Sequence, residues 1–121
     1  MTRLLGWTAA AVMVLLAGSP AAFAHAMLVH SSPANNAIIH SHQVDIALDY
    51  DSRIEASRCT VKLTDATGKP VALQMQHSAK PSELNAVAHG LANGKYVIHW
   101  QALASDGHIT RGDVSFTVAA Q

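Results

Sequence analysis

Cysteine is nearly absent. Cys59 is the only one in 121 residues, so no internal disulfide and no zinc site built from several cysteines can form. Neither sign of charge is in excess, with 8 Lys and Arg against 8 Asp and Glu. That balance excludes the broad basic footprint of a nucleic-acid binder and electrostatic docking on anionic lipid. No apolar run reaches the roughly 20 residues of a membrane span. There is no internal repeat, linker or low-complexity tract. What the chain does have is apolar content, at 50%, which excludes a disordered tail and suits one domain. It also has histidine: 8, as many as Lys and Arg together.

The longest apolar run, residues 4–17, follows a short positive start at Arg3 and is broken by Gly18-Ser19-Pro20. Ala22-Phe23-Ala24 then supplies small residues before a cleavage point. This order reads as a secretory signal peptide over 1–24, and the run is too short for an uncleaved anchor. Cleavage after Ala24 leaves 25–121 as the mature domain, with seven basic against eight acidic side chains and every histidine retained. The mature chain then begins at His25.

Within 25–121 the pattern is short alternation punctuated by turns, the signature of an all-β sandwich or barrel. Val44, Ile46, Leu48 and Tyr50 share one face; so do Cys59, Val61 and Leu63; so do Tyr96, Ile98, Trp100 and Ala102; so do Val114, Phe116 and Val118. With strands near 26–31, 71–73 and 84–88 the count is about seven. Asn93-Gly94 is a hairpin signal. Trp100 is expected to anchor the core, Cys59 to be a small buried hydrophobe, and His99 to be exposed.

An N-terminal histidine offers its α-amine and its ring Nδ1, which can close a chelate ring on one metal. The amine titrates near pH 8, so a metal can displace its proton near neutrality. Nitrogen-rich tetragonal sites suit Cu(II), which tops the affinity order of divalent ions. Ser105-Asp106-Gly107-His108 follows the strand of Trp100. In an extended stretch Asp106 and His108 point the same way, and Gly107 permits close backbone approach. His25, Asp106 and His108 together would give three nitrogens and one oxygen. The plainer reading of Asp-Gly is an ordinary turn. His40-Ser41-His42 and His89 read as turn residues, and His30 as a possible neighbour of the site.

These stretches carry a resemblance. His25-Ala26-Met27-Leu28-Val29-His30-Ser31-Ser32-Pro33-Ala34, then Trp100 through Ser105-Asp106-Gly107-His108 to Gly112 and Val114-Ser115-Phe116-Thr117-Val118, resemble the CopC/PcoC family of periplasmic copper-binding proteins. The resemblance implies a seven-stranded Greek-key β-barrel or sandwich, immunoglobulin-like in build. It implies Cu(II) held by His25, Asp106 and His108, a periplasmic location, and a role in copper sequestration, resistance or delivery. It also implies a separate CopD-like transporter in the inner membrane as partner, a monomer, and no catalysis. Some members add a carboxylate after the second strand. Here Ser52 falls at that position, so that ligand is expected to be absent, Asp51 beside it being the one residue that could substitute. The methionine-rich Cu(I) loop of some members is reduced to Met75-Gln76-His77, a poor cage, so only the Cu(II) site is expected. The alternative is a copper oxidase or monooxygenase with a histidine brace. Asp106 as a ligand would disfavour oxygen activation, and Tyr50 and Tyr96, both assigned inward, leave few aromatics for a sugar substrate. An immunoglobulin-like adhesion module would explain the strands but not the paired ends.

Overall fold

The computed structural model describes residues 25–121; the expected signal peptide lies outside them. The described residues run through nine strands: β1 (Leu28–Ser32), β2 (Ala37–Ile39), β3 (Val44–Tyr50), β4 (Thr60–Asp65), β5 (Pro70–Val71), β6 (Gln74–Gln76), β7 (Glu83–Ala88), β8 (Gly94–Leu103) and β9 (Ile109–Val118). A single 3₁₀ turn, Ala56–Arg58, precedes β4. The fold is an all-β sandwich of the immunoglobulin type. One sheet has the order β1-β3-β7-β6 and the other β2-β9-β8-β4-β5. All seven expected strands are present. The two additions, β2 and β6, are three residues each.

Alternation explains the layers. Val44, Ile46, Leu48 and Tyr50 of β3 face Tyr96, Ile98, Trp100 and Ala102 of β8 and Val114, Phe116 and Val118 of β9 across the core, all buried. Inner faces of packed sheets lie about 10 Å apart, so side chains from both interdigitate. Phe116, Leu48, Leu63, Ile98 and Val118 are the largest fully buried side chains, and burying each such group stabilises by about 1.5–3 kcal/mol. The Trp100 indole packs edge-on against Tyr50, with ring centroids 5.2 Å apart. It also lies against Gly112, its partner across β8–β9. A Cβ on Gly112 would stand 2.5 Å from the indole Cζ2, so the ring needs a glycine there.

Three local expectations change. Asn93-Gly94 is not a hairpin, because β7 and β8 lie in different sheets. The segment crosses between them, and the Asn93 amide instead pairs with both backbone groups of Ala120, closing the end of β9. His99 is half-buried rather than simply exposed: its ring lies 2.9 Å from Thr64 Oγ1 and 2.8 Å from Asp113 Oδ1. Cys59 packs against the core but is only half-buried. Its thiol donates to the Glu55 carbonyl and accepts the Leu103 N–H, and burial pushes its pKa up.

The β8–β9 hairpin places the Ser105-Asp106-Gly107-His108 turn at one end of the sandwich. Leu103 and Ile109 are the last paired residues. Within the loop Ala104 N–H donates to His108 O and Gly107 N–H to Ala104 O. Gly107 has φ +90°, which only glycine adopts without strain. β1 is an edge strand paired only with β3, and it delivers the segment before it to the same end.

Candidate metal site

His25, ahead of β1, meets His108, in the turn between β8 and β9. The rings of His25 and His108 lie 4.7 Å apart between centroids, at an interplanar angle of 77°. Asp106 completes the cluster. Its Oδ1 accepts the His108 backbone N–H at 3.0 Å, and its Oδ2 lies 3.0 Å from His108 Nδ1. The backbone N–H of His108 is the main reason the Asp106 carboxyl sits below the usual carboxylate range; the His108 ring and the charges of His108 and His25 add to it. Asp106 is therefore an anion across the neutral range, facing two imidazoles. A carboxylate on one ring nitrogen raises the basicity of the other and fixes the ring's orientation.

His25 lies before β1, outside any ladder. Ala26 is fully buried, and its carbonyl accepts from Thr110 Oγ1 at 2.6 Å. Met27 N–H donates to Asp51 Oδ1 at 2.9 Å, and Asp51 N–H donates to Met27 O at 2.9 Å. On the other side Ser105 N–H donates to Arg53 O at 3.1 Å, tying the turn to the chain after β3. The roles of Asp51 and Thr110 escaped the sequence because a contact to backbone leaves no motif.

The other candidates lie apart. His30 is exposed on β1 and pairs in register with Asp49. The Nδ1 atoms of His40 and His42 bond different carbonyls, Ala119 O at 3.0 Å and Leu91 O at 2.6 Å, so the two rings are held to separate parts of the backbone. His89 is exposed in the crossing between the sheets. The Ser52 hydroxyl is buried with no hydrogen-bond partner among the described residues. Met75 is exposed on β6, beside a cleft of about 490 Å³ that it lines with His77 and Cys59. Among the described residues no group of three or more His, Cys, Asp or Glu side chains is arranged to hold a metal ion. Asp106 and His108 are turned toward one another rather than toward a common centre.

Fold and cluster together define a small immunoglobulin-like sandwich with imidazole and carboxylate groups gathered at one end of the β8–β9 hairpin. The model of the CopC domain matches residues 28–119, and the chain belongs to the CopC family. It is 32% identical over 120 residues to Copper resistance protein C of Xanthomonas campestris pv. juglandis, covering 90% of this chain and 94% of that one. Among solved structures it is similar to CopC from Methylosinus trichosporium OB3b, with a TM-score of 0.75 and 34% identity over 80% of this chain and 96% of that one. It is also similar to PcoC of Escherichia coli, described as a methionine-rich copper resistance protein, with a TM-score of 0.69 and 28% identity over 79% and 100%. No helix among the described residues is long and apolar enough to cross a membrane.

Proposed function

We propose that this chain binds Cu(II) as cargo at His25, Asp106 and His108 and passes it on by ligand exchange, with no substrate turned over. Removal of residues 1–24 gives His25 a terminal α-amine, and amine and ring then close a chelate. His108 supplies a second imidazole and Asp106 an oxygen, a donor set that suits Cu(II). The protein works in the periplasm as a monomer, in copper sequestration, resistance or delivery to a CopD-like transporter of the inner membrane. The observation that carries this reading is the 4.7 Å between the His25 and His108 rings, brought together from opposite ends of the domain. Membership of the CopC family supports it.

Titrating the protein that begins at His25 with Cu(II), followed by Trp100 fluorescence, tests it. The same protein with one added N-terminal residue is the control. Tight one-to-one quenching that the extra residue abolishes is expected, and binding weakens in acid because amine and imidazoles must lose protons to bind. Weak binding in both, or binding indifferent to the extension, would remove His25 as the anchor.

A further inference from the structure

Chain ends are poorly ordered unless tied down, and removal of residues 1–24 would make His25 one. β1 begins at Leu28, so no strand ladder fixes residues 25–27. Hydrogen bonds and one buried methyl hold them to the sandwich. The Ala26 carbonyl takes the Thr110 hydroxyl at 2.6 Å. Met27 makes a two-bonded pair with Asp51: its N–H to the carboxylate, its carbonyl to the Asp51 N–H, both at 2.9 Å. Between these points the Ala26 methyl is fully buried. Two of these hydrogen bonds come from side chains, and they reach the segment from the two different sheets. Asp51 follows β3 of one sheet, and Thr110 belongs to β9 of the other.

Thr110 is also two residues beyond His108 on the same stretch of chain. Its hydroxyl therefore fixes the Ala26 carbonyl relative to the strand that directly follows the second imidazole. The Asp51 carboxylate accepts from the Met27 N–H, one residue further from His25. A segment held at 26 and 27 has little freedom to carry residue 25 away.

We propose that Thr110 and Asp51 are positioning residues, clamping residues 26 and 27 so that His25 meets His108. This deepens the Cu(II) reading and rests on it. It gives Asp51 the role of a backbone acceptor rather than of a ligand. Residues that orient metal ligands typically carry about a 10- to 100-fold effect on affinity, and a single neutral hydrogen bond a smaller one.

The test uses protein processed by the cell from the full-length chain, with its N-terminus at His25 verified by mass. Cu(II) affinity is measured by competition with a chelator, beside the electron paramagnetic resonance spectrum and Tm. Thr110→Val removes the hydroxyl at nearly constant shape, and Asp51→Ala removes the acceptor. Each is expected to lower affinity about tenfold. The conservative changes separate the roles. Thr110→Ser keeps the donor and Asp51→Asn keeps an oxygen acceptor without the charge. Both are expected to bind within about threefold of wild type, with its spectrum unchanged, as removal of no more than part of one hydrogen bond allows. If Asp51→Asn is as weak as Asp51→Ala and its spectrum shifts, Asp51 is a ligand and the clamp is overturned for that residue. If Thr110→Val and Asp51→Ala bind as wild type does and only Tm falls, their role is structural and the inference fails. If wild-type protein does not bind Cu(II) tightly, or His25→Ala binds as well, the Cu(II) reading itself fails, a separate result.

Discussion

Asp106 holds His108 twice, once through the backbone N–H and once through ring Nδ1, each at 3.0 Å. The residue between them, Gly107, is at φ +90°, and that turn lets a carboxylate reach both groups of the residue two further on. Asp106 therefore selects the tautomer of His108 with its proton on Nδ1.

Asp106→Ala removes both acceptors at once. The expected result in the metal-free protein is loss of the Nδ1–H tautomer of His108, read from its ring nitrogen shifts by NMR, with no change at His99, whose partners are Thr64 and Asp113. An unchanged His108 tautomer would show that Asp106 does not orient the ring.

Gly112→Ala forces a Cβ to within 2.5 Å of Trp100 Cζ2 and 2.8 Å of Cε2. Overpacking of this kind costs about 1–3 kcal/mol. In a domain of this size each kcal/mol lowers Tm by roughly 4–8 °C. Thermal unfolding should show that drop, with a changed near-ultraviolet signal from the displaced indole. A variant as stable as wild type would mean the strands open freely at this pair.

Asp49 and Glu83 face each other across β3 and β7. The hydrogen bond to Glu83, then burial and the Glu83 charge, raise the Asp49 pKa. Glu83 is lowered, first by Asn85 and then by Asp49, with help from Ser78 and Lys80. Because Asp49 holds its proton more tightly folded than unfolded, its contribution is present in acid and is lost as pH rises through its raised value. Asp49→Asn keeps a donor toward Glu83 at every pH. It should melt above wild type at pH 7, and the gap should close as pH falls through the raised value at which Asp49 regains its proton. A variant less stable at pH 7 would show that attraction of Asp49 to Lys80 and His30 outweighs its repulsion by Glu83.

The strands were legible where alternation was long. Val44 to Tyr50 and Tyr96 to Ala102 announce a buried face by period alone. β2 and β6 were not, because three residues cannot establish a period. β2 exists because Ala37, Ile38 and Ile39 run parallel to the end of β9, a pairing no local pattern encodes. His25, Asp106 and His108 could be named from motifs, but only the fold brings the first to the other two. Thr64, His99 and Asp113 form a hydrogen-bonded row across three strands, and nothing near His99 in sequence foretold either partner.

Thr110 and Ala26 are 84 residues apart, and Asn35 and Ser115 are 80 apart. The opening segment is thus fastened to the closing strand, with almost the whole domain between them. His25 and His108 sit side by side only in a chain whose first and last strands are both in place, so a chain cut before β9 would lack the bond that holds the opening segment there. Assembly of the site doubles as a receipt for the finished fold.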